Sequence, residues 1–121
     1  MPLPEEWVRS FFSHLEGERG LSPHSLAAYR QDLEQFSAYL AEGEITVPDE
    51  FDSRAVRGFI YYLDTQGIAR RSIARKLSAV RTFCRYLCRE GILEKNPALI
   101  VEAPGRDKPL PRSLSQAELE P

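Results

Sequence analysis

The sequence predicts an all-α bundle of four helices with a short fifth. Three observations carry this expectation. Apolar residues recur at steps of three and four in four separate stretches. Each of those stretches runs into a glycine, at Gly17, Gly43, Gly67 or Gly91. No two runs of alternating apolar residues are placed to pair as strands, since the one β-branched run, Ile45-Thr46-Val47, is short and ends at Pro48.

The first helix is expected over Glu5–Glu18. Trp7, Phe11 and Leu15 repeat every fourth residue, Val8 and Phe12 widen the stripe, and Gly17 and Gly20 bracket the end. Trp7 reads as a core residue, with an anchor for a partner surface as the alternative. The second helix has the clearest start: Ser22 suits the N-cap and Pro23 the first helical position. Leu26, Tyr29, Leu33, Phe36 and Leu40 form its stripe, and Ser25, Ala28, Gln31 and Gln35 lie off it, toward solvent or a ligand. Glu44–Asp52 is a connector. Ser53 is expected to cap the third helix, whose Val56, Phe59, Ile60 and Leu63 face inward.

The fourth helix, Ala69–Arg89, is the anomaly. It holds six Arg and one Lys and no acid, in a chain of 16 basic and 18 acidic residues with net charge −2. The remaining 100 residues therefore carry −9. Ile73, Leu77, Val80, Cys84 and Leu87 make one apolar stripe, and Arg71, Arg75, Ser78, Thr82, Arg85 and Arg89 fall opposite it. Arg70 and Arg81 sit to one side of that basic face and Lys76 to the other. A solvated face is the plain alternative, but such faces mix signs to gain pairs four residues apart. Here like charges repeat at that spacing (Arg71 and Arg75, Arg81 and Arg85, Arg85 and Arg89) and repel. A bound polyanion explains this better, with nucleic acid the first candidate.

Past Gly91, Asn96-Pro97 opens a short apolar segment, Ala98–Val101, expected to form one or two helical turns. Pro104, Gly105, Pro109 and Pro111, interleaved with charges, then read as an extended linker. Ser115-Gln116-Ala117-Glu118 has the form of a capping box. A helix start so close to the last residue predicts a domain boundary there.

Composition narrows the function classes. A chain of 121 residues forms one domain and buries enough surface to fold without metal or disulfide. No run of about 18 apolar residues is present, so no membrane span is expected. The acidic pair Glu5-Glu6 stands where a signal peptide would be basic, which predicts a cytoplasmic protein. Cys84 and Cys88 share one helix and are badly oriented for a disulfide, and neither they nor His14 and His24 have zinc spacing. Free thiols, no metal and no cofactor are the expectation. No phosphate-cradling glycine loop and no hydrolase or metalloprotease motif is found. The tyrosines at 29, 39, 61, 62 and 86 fall mostly on or beside helix stripes, where core burial explains them better than nucleophilic catalysis.

Five stretches in order carry a resemblance. They are Glu18-Arg19-Gly20-Leu21-Ser22-Pro23-His24-Ser25-Leu26-Ala27-Ala28-Tyr29-Arg30-Gln31-Asp32-Leu33, then Arg71-Ser72-Ile73-Ala74-Arg75-Lys76-Leu77-Ser78-Ala79-Val80-Arg81, then Asn96-Pro97-Ala98, then Leu110-Pro111 and Leu114-Ser115. Together they resemble the N-terminal core-binding domain of tyrosine site-specific recombinases, of the Xer type and most similar to its XerC branch. The resemblance covers nearly the whole chain, from about Trp7 to Glu118. It implies a SAM-like helical domain that closes over one side of duplex DNA while a catalytic domain closes over the other. It implies that residues 1–103 are the DNA-binding domain, and that 104–121 hold the linker and the start of the catalytic domain. The catalytic set belongs to that further domain, so no catalytic residue is placed on this sequence and no enzyme activity is expected of it alone. Other recombinase protomers in a tetramer are the implied protein partners, with Ala98–Val101 or the first helix meeting a neighbour, and chromosome dimer resolution is the implied role. One departure stands out. Relatives usually carry serine or threonine at the position of Ala69, and alanine cannot cap, which costs about 1 kcal/mol or moves the helix start to Ser72 and leaves Arg70 and Arg71 in a loop.

The expected contacts follow. Arg71, Arg75 and Arg81 bond phosphates or guanine edges, Arg70 and Lys76 hold flanking phosphates, and Ser78 and Thr82 reach the backbone. Ser25, Tyr29 and Arg30 add contacts from the second helix, although core burial competes for Tyr29. Four to six neutralised phosphates give a log–log salt slope of about −4 to −5. Two other classes compete. One is a helical module binding an acidic protein, with Trp7 and Phe11 as apolar anchor. The other is a helix-turn-helix regulator.

Overall fold

The computed structural model of the chain describes residues 3–17, 20–45, 47 and 51–104. Among these residues there are four helices and no strand: α1 (Glu5–Gly17), α2 (Pro23–Glu42), α3 (Ser53–Thr65) and α4 (Arg70–Arg89). Ile73, Leu77, Val80, Cys84 and Leu87 of α4 are buried as their spacing predicts, and Lys76, Ala79, Phe83 and Tyr86 widen the buried face. That width lets α4 touch all three other helices, whereas α1 and α3 do not meet. The result is an α2–α4 pair with α1 on one flank and α3 on the other.

Two aromatic centres join these layers. The Phe11 ring lies 5.2 Å from Phe83 and 6.2 Å from Tyr29, tying α1 to α4 and α2. The Phe36 ring lies 5.0 Å from Phe59 and 5.9 Å from Phe51, tying α2 to α3 and its approach. Edge-on and tilted rings at these separations contribute beyond the area they bury. Leu3, ahead of α1, is fully buried, and Trp7 is half-buried against the edge of the core. Tyr29 and Tyr39 also pack against the core, but Tyr61 is 71% exposed on the outer face of α3. Cys84 and Cys88 are free, and burial, then the neighbouring Cys88, pushes the Cys84 thiol far above its ordinary range. No helix of the described residues is long and apolar enough to cross a membrane.

The helix starts correct the sequence reading at α3 and settle it at α4. Ser22 caps α2 as expected, accepting from the Ser25 amide at 3.2 Å. The cap of α3 is Asp52 rather than Ser53, with one carboxylate oxygen accepting from the Arg54 and Ala55 amides at 3.1 and 3.2 Å. A carboxylate one residue earlier outcompetes the hydroxyl because it is the stronger acceptor for two amides at once. Partial burial pushes the Asp52 carboxyl up, but the Ala55 amide, the Arg54 guanidinium and the Arg54 amide more than offset it, leaving it below its ordinary value. α4 starts at Arg70 without any side-chain cap at Ala69, so Arg70 and Arg71 lie in its first turn and not in a loop. Ala69 already has the extended backbone of an N-cap (φ −58°, ψ 141°), so only the acceptor is missing. Ala69→Ser should therefore stabilise the chain by about 1 kcal/mol, read as a higher thermal midpoint by circular dichroism.

At their C-termini α2, α3 and α4 close alike, with paired backbone bonds such as Ile45 N–H to Leu40 O (3.0 Å) and Ile92 N–H to Leu87 O (2.9 Å). The motif needs a left-handed residue just past the cap. Gly67 (φ 79°) and Gly91 (φ 80°) supply it after α3 and α4, but after α2 the position falls on Glu44 (φ 55°), one residue beyond Gly43. A side chain there is strained. Glu44→Gly should stabilise by about 1 kcal/mol, checked by urea denaturation with an unchanged m-value.

The expected fifth helix is a turn. The Asn96 side chain accepts from the Ala98 amide at 2.9 Å, and its backbone carbonyl accepts from Leu99 at 3.2 Å. The carbonyls of Ala98 and Val101, which a helix would use in its own ladder, accept instead from Arg81. Ala98 and Val101 are nevertheless buried, so the segment seals the bundle in irregular form. The Ile45–Val47 run in part, the Glu18-Arg19 marker, the linker beyond Pro104 and the capping box at Ser115 lie outside the described residues.

Candidate nucleic-acid interface

The α2–α4 seam opens to the surface as a cleft of about 180 Å³. Ser25, Ala28, Tyr29 and Asp32 line it from α2, one and two turns apart, and Arg75, Ser78 and Ala79 line it from α4. Ala28 and Ala79 put little bulk between the helices there. Four expected contact residues, Ser25, Tyr29, Arg75 and Ser78, are thus brought together by the fold. Tyr29 packs its ring on Phe11 and also walls the cleft.

A buried carboxylate organises the site. Asp32 is 2% exposed and accepts from Arg75 Nε (3.2 Å), Arg75 Nη2 (2.9 Å) and Lys76 Nζ (3.0 Å). The bond to Asp32, then its charge, raises the Arg75 pKa above its ordinary value, against a smaller effect of burial. Arg75 keeps a 54% exposed side chain, whereas that of Lys76 is 10% exposed. One turn before Arg75, Arg71 is exposed and makes no hydrogen bond or ion pair with another described residue. Arg70 is exposed beside it, and both stand at the uncapped, electropositive start of α4.

Three expected contacts are placed otherwise. Lys76 is turned inward to Asp32, away from any flanking phosphate. The Arg81 guanidinium donates to the carbonyls of Ala98 (3.1 Å) and Val101, so it fastens the last described segment to α4. Arg30 is exposed but swung toward α1, its guanidinium 4.3 Å above the Phe12 ring. Thr82 is half-buried one turn beyond Ser78 and accepts from Arg85 at 3.5 Å. Sequence reasoning missed Asp32. The available signal was its place beside Leu33 on the stripe edge of α2, where an acid is buried only if a cation meets it.

Comparisons with known proteins bear on the family of the chain. A family model described as phage integrase, N-terminal SAM-like domain, matches residues 8–91. The chain is 44% identical over 115 residues to a tyrosine recombinase XerC of Pelobacter propionicus, covering 93% of this chain and 37% of the relative. It is 40% identical over 108 residues to a tyrosine recombinase XerC of Psychromonas ingrahamii, covering 89% and 36%. It is 36% identical over 114 residues to a tyrosine recombinase XerD of Oceanobacillus iheyensis, covering 93% and 38%. The chain thus spans little more than a third of the length of these curated relatives. No solved structure matches.

Proposed function

We propose that this chain, which belongs to the family of phage integrase N-terminal SAM-like domains, binds duplex DNA through the α2–α4 cleft and the start of α4. The observation that carries this reading is the convergence of Ser25, Tyr29, Arg75 and Ser78 on one cleft, with Arg70 and Arg71 exposed in the first turn of α4, in a chain otherwise rich in acid. A polyanion gains from every cation there and loses nothing to neighbouring exposed carboxylates on that helix, since α4 has none. In a recombinase the domain would form one half of a clamp, with strand cleavage assigned to the region of the relatives that this chain does not cover. Tetramer partners, action on chromosome dimers and a cytoplasmic setting belong to that same reading.

The geometry lowers the expected salt dependence. With Lys76 and Arg81 engaged inside the fold, about two fewer phosphates are neutralised, so the log–log slope should be about −2 to −3 rather than about −4 to −5. Arg71→Ala should bring it down by about one more unit. Fluorescence anisotropy of a labelled duplex across a salt series measures both, and binding indifferent to salt overturns the proposal. The rival module for an acidic protein loses part of its apolar anchor, because Phe11 is wholly buried and Trp7 half-buried.

A further inference from the structure

We propose that Asp32 is a positioning residue for DNA recognition: it holds the Arg75 guanidinium side-on so that its remaining donors read a guanine edge. The inference rests on the DNA-binding reading above and names the part of the site that selects sequence. Arginine has five N–H donors in a rigid plane. Asp32 takes the Nε donor and one on Nη2, through separate oxygens at 3.2 and 2.9 Å. Two contacts from one carboxylate fix the plane as well as the position. Three N–H groups remain, on a side chain that lines the cleft and is half exposed.

Lys76 completes the device. Its ammonium meets the same Asp32 oxygen that Arg75 Nη2 meets, at 3.0 Å. It cancels the carboxylate charge from inside, so the acid can orient Arg75 without repelling an approaching phosphate. Lys76 is too deeply buried to touch DNA itself. A hydrophobic pair would fill this seam with less desolvation penalty. The buried pair is explained by what it does to the exposed arginine. A fork fixed in this way loses little rotamer freedom on binding and suits the paired O6 and N7 acceptors of guanine.

The test uses duplexes enriched by the unmodified chain from a random library, against unselected duplex. Since Asp32→Asn alone strands the Lys76 charge, the variants are built on Lys76→Met: that change alone, with Asp32→Asn, with Arg75→Ala, and with both. Melting by circular dichroism establishes that each is folded, and Asp32→Glu in the native background, which keeps the charge but shifts the carboxylate by a methylene, serves where one is not. Asp32→Asn should weaken binding to the selected duplex about tenfold, although it removes a negative charge. It should leave unselected duplex unchanged or bound more tightly. The loss should vanish once Arg75 is alanine, and Asp32→Glu should lose the same preference. Unchanged preference in a folded Asp32→Asn or Asp32→Glu variant, or a loss that persists without Arg75, overturns this proposal and leaves DNA binding intact. No sequence enrichment overturns it as well. Failure of the unmodified chain to bind any duplex overturns the DNA reading and this inference together.

Discussion

Asp32→Ala is expected to cost the fold about 3–5 kcal/mol, the largest loss from any single charged residue in the bundle. The reason is asymmetric. Arg75 is half exposed and returns to water when its partner goes. Lys76 cannot, because its side chain is 10% exposed and its ammonium meets Asp32 alone among the described residues, at 3.0 Å. The loss is therefore that of an uncompensated buried cation, against a total stability of about 5–15 kcal/mol for a domain. Lys76→Met alone should cost much less, since Asp32 keeps both bonds from Arg75. Combining Asp32→Ala with Lys76→Met should recover most of the stability. Urea denaturation of the three variants checks the order, and equal losses from Asp32→Ala and Lys76→Met would contradict it.

Phe11→Ala should cost about 3–5 kcal/mol by a different route. Phe11 is 0% exposed, and its ring meets Phe12, Tyr29, Phe83 and Tyr86 with centroids 5.2–6.2 Å away. Truncation opens a cavity where three helices converge, and no neighbouring ring can close it without leaving its own contacts. Phe11→Leu should recover part of the loss, which separates volume from ring geometry. Trp7→Ala, half-buried at the edge of the core, should cost less. The competing view of Phe11 as a surface anchor expects the opposite pattern, with partner binding lost and stability kept.

The fold was legible in the sequence wherever a single helix carried the information. Steps of three and four put Leu33, Phe36 and Leu40, or Ile73, Leu77 and Val80, on one side of a helix whatever surrounds it, and all six are buried. The helix stops at Gly67 and Gly91 were equally local, since a left-handed residue follows from backbone sterics. Where local signals were close rivals the reading slipped by one residue, as with Asp52 and Ser53 at the start of α3. The short segment near Ala98 failed for another reason. Its carbonyls are taken by Arg81, 17 and 20 residues earlier, and no local pattern announces that.

The candidate site shows the same division. By itself the sequence determined that α4 would be two-faced and basic, because charge and periodicity are properties of the chain read along its length. Which cations remain at the surface was decided by tertiary structure. Arg71, Arg75, Lys76 and Arg81 are chemically alike on a helical wheel, yet one makes no bond to another described residue, one is held at the rim by Asp32, one is buried against it, and one fastens a turn. The physical reason is that burying a charge requires a partner, and the partners lie about 20 to 40 residues away, on α2 and past α4, where only folding brings them within 3 Å or so.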